Sequence, residues 1–318
     1  MAAKKIIAVI GSTGNQGGSV ARIFLNDPKL KNKWTVRAIT RDITKEAAKK
    51  LESQGAELFA ADINDGKSLA KAFSGAAAVF AVTNYWETMS KEREEHQGRR
   101  IVDAAKDAQV QHFIYSSLID VAKATHGNLS NVYHFDSKAT VEQYARDLGI
   151  PATFFQPGFF MSNIPGQLLS QEAPDKPWTL SIPTSGTAPF PLFDAETDTG
   201  KFVKAIVLKR DELLGKRVLG ATAYKTPAEI LNDFKATFPN AGKDAQFFSV
   251  PHELFKAGLK GRGLPEFAAE ELLENFRLMD EGGYYAGEKL DWSLSILEDK
   301  PTTWTEYMKA AQPFLGLN

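Results

Sequence analysis

The chain has 318 residues, of which 43% are hydrophobic and 24% charged, and its formal net charge is -1. That length exceeds one comfortable core and predicts two lobes, while the near-neutral charge leaves no basic footprint for nucleic acid. Cysteine is absent, which excludes disulfides, thiolate zinc centres and a cysteine nucleophile; with no apolar run long enough for a membrane span and no signal-peptide pattern at the start, a soluble protein of the cytoplasm, or alternatively the nucleus, is expected.

The elements begin with a continuous apolar run, IIAVI at residues 6–10, the pattern of a strand buried on both faces of a parallel sheet. A glycine-rich turn follows and leads into helical periodicity at 19–25. Strand signals then recur at 35–40, 57–60, 78–82, 112–116 and 152–156, with helical patterns between them at 44–51, 68–73, 91–108 and 137–148. Strands alternating with helices over short connections predict βαβ units, right-handed crossovers and a Rossmann-type doubly wound parallel sheet. The string Lys91-Glu92-Arg93-Glu94-Glu95 reads as a solvated helix face.

After Pro157 the alternation breaks down. Proline and glycine punctuation predicts a looped connection over the sheet. Residues 190–193, and a helix N-capped by Asp198 and running to about residue 208, read as one more strand–helix pair rejoining the first domain. Amphipathic patterns at 227–238, 252–259, 265–279 and 303–311 predict a smaller, mostly α lobe. The expected division is a dinucleotide-binding domain over 1–156, rejoined by about 187–209, and a C-terminal substrate or partner domain over 157–318.

Gly11-Ser12-Thr13-Gly14-Asn15-Gln16-Gly17-Gly18 lies between the first strand and the first helix, with the spacing G-x-x-G-x-x-G. Gly11 can take the conformation of a sharp strand-to-helix turn. Gly14 lets the main chain approach a pyrophosphate, and Gly17 lets helix and strand pack closely. Free N–H groups at the helix start would face the phosphates.

At the end of the second strand an acidic residue would select NAD, whereas an arginine accepts a 2′-phosphate. The chain reads Thr40-Arg41-Asp42, with Lys45 one turn on. Arg41 and Lys45 therefore predict NADP(H); the alternative is a surface arginine paired with Asp42. Asp62 and Ile63 follow the third strand, where an adenine edge would lie. Thr83, Asn84 and Tyr85 follow the fourth, at the rim where ligands bind in open sheets.

The glycine loop with Gln16, Thr40-Arg41, Val82-Thr83-Asn84-Tyr85-Trp86-Glu87 and His134-Phe135-Asp136-Ser137-Lys138 together resemble the NmrA-like family of atypical short-chain dehydrogenase/reductases, its redox-sensor members above all. The likeness covers most of the chain. It implies phosphate contacts at Gly11 to Gln16, 2′-phosphate contacts at Arg41 and Lys45, and adenine contacts at Asp62 and Ile63. It also implies contacts at Thr83 to Tyr85, a nicotinamide-ribose contact at Lys138, and a nicotinamide end lined by Phe160 to Asn163. Asp42-Ile43-Thr44 departs from the more basic stretch common in that family.

Reductases of the wider superfamily carry Y-x-x-x-K, in which the tyrosine gives a proton to the developing alkoxide. Here Lys138 is present, but His134 stands four residues earlier. Tyr133 is turned roughly 100° around the helix from that position. His134 can serve as a proton donor; the alternative is a helix-start histidine bonded locally. Ser116 and Ser117 fall where reductases carry a substrate-orienting serine, or else simply end the strand. The other histidines show no metal-ligand spacing, and no metal is expected.

Two functions follow. The missing tyrosine points to an NADP(H)-dependent redox sensor acting through conformation and a regulatory protein partner. The alternative is an NADPH-dependent reductase of a small apolar carbonyl or enone, supported by Phe154, Phe155, Phe159, Phe160, Phe190 and Phe193, which could wall an apolar pocket, although core packing explains most of them.

Overall fold

A computed structural model describes residues 3–318. The first half of the chain lays down β1 (Lys5–Ile10), β2 (Trp34–Thr40), β3 (Glu57–Ala60), β4 (Ala76–Ala81), β5 (His112–Ser116) and β6 (Ala152–Pro157). Between them run α1 (Asn15–Asn26), α2 (Glu46–Ser53), α3 (Gly66–Phe73), α4 (Lys91–Asp107), α5 (Val121–Ala124) and α6 (Tyr133–Asp147). Seven short strands follow: β7 (Phe159–Phe160), β8 (Leu169–Ser170), β9 (Thr179–Ile182), β10 (Phe190–Phe193), β11 (Arg217–Gly220), β12 (Ala223–Lys225) and β13 (Gln246–Ser249). The later helices are α7 (Ala195–Leu208), α8 (Arg210–Leu213), α9 (Pro227–Thr237), α10 (His252–Gly261), α11 (Glu266–Glu281), α12 (Asp291–Ser295) and α13 (Trp304–Ala310).

The large sheet has the order β11-β6-β5-β4-β1-β2-β3, and every pairing in it is parallel. It is the doubly wound Rossmann-type sheet that the alternation predicts. Its apolar strands are buried on both faces: Ile7 and Val9 pack under α1 and α7, while Ala8 and Ile10 pack under α3 and α4. The direction of winding reverses between β1 and β4. Such a switch point opens a crevice beyond the carboxyl ends of the two strands, and here that crevice is bordered by Gly11 and Thr83.

Three expectations are corrected. The strand that rejoins the large sheet is β11; β10 instead pairs with β7 and β12 in a small separate sheet. The smaller lobe also contains a second small sheet, β13-β9-β8, beside its helices. The N-cap of α7 is Asp194, whose side chain accepts from Thr197 N–H. Asp198 lies inside that helix, fully buried, and holds the C-terminal segment through Thr302 N–H at 2.7 Å and Thr302 hydroxyl at 3.0 Å. Both aspartates look alike as helix starters, and burial distinguishes them.

Helix α1 is clamped between the sheet and α7. A Cβ at Gly17 would stand 2.3 Å from the Gly11 carbonyl oxygen, and one at Gly200 would stand 2.5 Å from the Ser19 carbonyl oxygen. Gly200 N–H also donates to Ser19 Oγ at 2.9 Å. Backbone lies directly against both positions, so added volume cannot be absorbed by a rotamer change. Gly200→Ala is expected to destabilise by roughly 1–3 kcal/mol, read as a lower urea midpoint. Gly258, in α10, has nothing within 4 Å of its would-be Cβ, and Gly258→Ala should be neutral or stabilising by about 0.5–1 kcal/mol.

Candidate functional site

At the switch point a cleft of about 650 Å³ runs from the glycine loop across the sheet edge to the smaller lobe. Its near end is backbone. Gly11 has φ +65°, a left-handed conformation that glycine takes without strain, and its carbonyl accepts Gly14 N–H at 2.9 Å. Gly14 is the N-cap of α1 and provides no side-chain cap; the first turn also holds no acidic residue. The helix therefore presents its free N–H groups and positive dipole end to the cleft, an arrangement suited to an anion. A Cβ at Gly14 would meet Gly11 O at 3.4 Å, ordinary contact, so the fold itself does not require glycine there.

Thr13, Asn15, Gln16 and Gly17 border the same cleft. Gln16 is held from behind, its Oε1 accepting the Ser116 hydroxyl at 2.8 Å. The expected contact at Ser12 needs correction for its side chain, because the hydroxyl is buried and donates to Ile39 O at 3.0 Å.

Arg41 and Lys45 reach the rim beyond β2. Asp42 does not pair with Arg41: its carboxylate accepts Thr44 N–H at 2.8 Å and Thr44 hydroxyl at 2.6 Å, and these bonds lower its pKa. The partner of Arg41 is Glu87, across the cleft mouth in the short turn Tyr85–Glu87. On the third-strand side Ile63 and Asn64 line the cleft. Asp62 is instead turned into its own loop, accepting Asn64 N–H at 2.8 Å and the Asn64 side chain at 2.9 Å. Asp62, expected at the adenine edge, thus does not line the cleft, whereas Asn64 does.

The far end is organised by two buried carboxylates that the sequence reading overlooked. Glu94, assigned above to a solvated face, is fully buried. It accepts from Lys138 Nζ at 2.5 Å and from the Ser137 hydroxyl. Helical period could have found it, because Glu94 stands four residues before Gly98 and seven before Ile101 on the buried stripe of α4. Glu271, equally buried, accepts from the Tyr85 hydroxyl at 2.6 Å, His134 N–H at 2.8 Å and His134 Nδ1 at 2.7 Å. It shares a stripe with Ala268, Asn275 and Leu278 on α11.

His134 and Lys138 therefore occupy one face of α6, both on the cleft and both anchored to carboxylates. Burial lowers the imidazole pKa, partly offset by the hydrogen bond and charge of Glu271. His134 is thus neutral near pH 7, which weakens the proton-donor role expected of it. Tyr133 does not stand in: its hydroxyl donates to Asn131 Oδ1 at 2.8 Å. Tyr85 is locked too, with its pKa raised strongly by burial and by Glu271. Thr83 lies on the rim with its hydroxyl 3.4 Å from that of Tyr115, and Asn84 begins the turn. Ser117 is held by Glu142 at 2.6 Å, away from the cleft.

Of the six phenylalanines expected to wall a pocket, only Phe159 and Phe160 do so; Phe154, Phe155, Phe190 and Phe193 are core. The wall is completed by Asn163 and by residues not foreseen: Phe135, Tyr284 and Asn275. The Asn275 side chain is over nine-tenths buried, and its Nδ2 has no partner among the described residues. A shallower depression of about 740 Å³ lies beside Arg146, Arg217 and Trp292, but both of its arginines are bonded to Glu142.

The profile of the NmrA-like family matches residues 3–308. The chain is similar to an NmrA-like family domain-containing oxidoreductase, FrzB, of Cladobotryum sp, with 30% identity over 303 residues, 89% of this chain and 87% of the relative. Among solved structures it is similar to NmrA, a negative transcriptional regulator, in complex with NADP: the TM-score is 0.80 at 23% identity, over 99% of this chain and 95% of that one. It is also similar to the triphenylmethane reductase of Citrobacter sp. complexed with NADP(H), with a TM-score of 0.75 at 21% identity, over 97% and 100% of the two chains. At these identities the likeness to the two structures is one of fold.

The Glu94 anchor has a direct consequence. Glu94→Ala leaves the Lys138 ammonium nearly buried without its counter-charge, and such a loss costs about 3–5 kcal/mol. Glu94→Gln keeps an acceptor for Ser137 and should cost less. Urea unfolding of the two variants is expected to show this order.

Proposed function

Because the chain belongs to the NmrA-like family, we propose that its cleft binds NADP(H) and that the protein is an NADP(H)-dependent oxidoreductase of a small, largely apolar substrate. The observation that carries this reading is the continuity of the cleft. One channel joins an uncapped helix N-terminus to a chamber walled by Phe159, Phe160 and Tyr284, with His134 and Lys138 between. A binding site for the dinucleotide alone does not need that aromatic extension. The name of the relative FrzB supports the same choice.

In this reading the backbone from Gly11 to Gln16 holds the pyrophosphate, with Gly17 shaping the turn behind it. Arg41 and Lys45 take the 2′-phosphate, and Ile63 with Asn64 flanks the adenine. Thr83, Asn84 and Tyr85 border the middle of the cofactor. Lys138, oriented by Glu94, holds the nicotinamide ribose; Phe160 and Asn163 line the nicotinamide end. The bound cofactor supplies or accepts hydride. The chain excludes water with its aromatic wall and handles the accompanying proton at His134. Residues 1–156, with about 187–209, would carry the cofactor, and 157–318 would cover the substrate.

A second reading, a redox sensor that signals to a protein partner, is favoured by the Arg41–Glu87 pair. A 2′-phosphate drawn to Arg41 displaces Glu87 and loosens the Tyr85–Glu87 turn, so cofactor state is written into the cleft mouth.

Titration calorimetry should show NADP(H) binding more tightly than NAD(H). Arg41→Ala should cost NADP(H) about 1.5–3 kcal/mol, and Glu87→Gln, which frees the guanidinium, should tighten binding. Equal affinity for the two dinucleotides in wild type would sink the 2′-phosphate assignment. Gly14→Val should remain folded by circular dichroism yet bind neither dinucleotide.

Turnover distinguishes the two functions. An oxidoreductase interconverts NADP(+) and NADPH with some member of an apolar alcohol and carbonyl panel, at a rate that collapses in Lys138→Ala. No turnover across the panel, together with cofactor-dependent hydrogen-exchange protection at residues 84–90, would make the sensor the correct description.

A further inference from the structure

Glu271 reaches the cleft from the smaller lobe and fixes more than the position of His134. A carboxylate accepts hydrogen bonds and donates none. With three donors converging on Glu271, from Tyr85, His134 N–H and His134 Nδ1, the network assigns the ring proton to Nδ1. Nε2 then carries a lone pair. The ring is part of the cleft wall, with its centroid 5.0 Å from that of Trp86 and 4.9 Å from that of Phe135. Nδ1 is committed, so Nε2 is the nitrogen left for a ligand.

A bare Nε2 opposes a carbonyl oxygen, lone pair against lone pair, and attracts a hydroxyl. The chamber wall is aromatic at Phe135, Phe159, Phe160 and Tyr284, with Asn163 and Asn275 as its polar members. Resting on the oxidoreductase reading above, we propose that Glu271 is a positioning residue that holds His134 as the proton acceptor of the site, and that the substrate class is an aryl-substituted secondary alcohol donating its O–H to His134 Nε2.

The step balances. The carbinol C–H bond breaks and its electron pair leaves with the hydrogen as hydride to the oxidised nicotinamide of NADP(+), which is reduced to NADPH. The O–H bond breaks, its proton going to Nε2, and the C=O bond forms as the alcohol is oxidised to a ketone. The imidazolium that results faces the Glu271 carboxylate, which offsets its charge; in the reverse direction the same proton returns to the oxygen.

The pH dependence has a definite sign. Burial holds His134 below its ordinary range, the bond and charge of Glu271 oppose this, Lys138 lowers it further and Glu94 raises it. Tyr85 shares Glu271 but stays un-ionised, its pKa raised by burial; Tyr133, raised likewise, stays neutral beside it. Alcohol oxidation needs neutral imidazole, so its rate rises with pH and levels off above the lowered pKa. Ketone reduction needs imidazolium and falls as pH rises through the same value.

The test has two independent parts. In the full chain carrying isotope-labelled histidine, long-range proton–nitrogen spectra report the tautomer, with His134 identified by the signals lost in His134→Gln. An Nδ1–H ring is expected; an Nε2–H ring overturns the proposal whatever the kinetics. Oxidation of α-phenylethanol and indanol with NADP(+) is then followed against pH. Glu271→Gln keeps an acceptor for Nδ1–H but removes the charge. Its kcat should fall ~10–100-fold, part of what positioned proton transfer contributes. KM for NADP(+) should hold, and the acid limb should move to lower pH. His134→Gln should abolish that limb. Unchanged pH profiles in both variants, or no oxidation of either carbinol by a chain that binds NADP(H), overturn the proposal alone. Failure to bind NADP(H) by calorimetry overturns the proposed function with it.

Discussion

Everything at the cleft depends on how closely α1 approaches the end of β1. The helix begins with no side chain capping it, and the Gly11 carbonyl lies where a Cβ at Gly17 would have to be. Free amides are costly to bury without a partner, so a helix start left open to a crevice is tolerable only where water or an anion can reach it. Gly200 presses the same helix from the other side. The close packing that orients the amides and the opening that makes them useful are therefore one arrangement.

Two buried carboxylates extend that logic to the far end. Glu94 and Glu271 are each fully excluded from solvent and each collects several donors. A buried ion pair is a weak source of stability, because desolvation cancels much of the attraction, but it resists being opened. Lys138 and His134 are thereby held on one face of α6 by partners on α4 and α11. The second of these belongs to the smaller lobe, so the proposed catalytic face is complete only when the two lobes are packed together.

The alternation of strands and helices was legible because two periods, two residues and 3.6, leave marks long enough to read. The glycine loop was legible because glycine has few other reasons to recur at that spacing beside a buried strand. What escaped notice was either irregularly placed or distant. β11 and β13 have four residues each, no fewer than β3, but they lie outside the regular strand–helix alternation that made β3 readable, and their places depend on partners far along the chain. Glu94 was hidden by its neighbours: a run of five charged residues looks solvated, although the buried stripe through Gly98 and Ile101 passes through one of them. The Glu271–His134 pair spans 137 residues, and no local pattern encodes it. The turn bonds of Asp62 and Asp42 are local instead, since short polar side chains in turns bond their own neighbours first.

The pairs also explain how one cleft can serve chemistry and conformation together. Lys138 and His134 meet buried carboxylates, and moving either would strand a charge in the interior. Arg41 and Glu87 are both more than two-fifths exposed, so their pairing is weak in water and yields to a competitor. A phosphate is the stronger competitor for a guanidinium because it brings more charge and can bind bidentately. In the proposed function, binding energy at the rim would thus be spent on releasing Glu87, whereas the proposed catalytic face would stay fixed. A ligand shifts a conformational equilibrium only through its different affinity for the two states, and NAD(H), lacking the 2′-phosphate, has little to distinguish them at Arg41. The same contact that would select the cofactor is the one that would let the mouth of the cleft report which cofactor is bound.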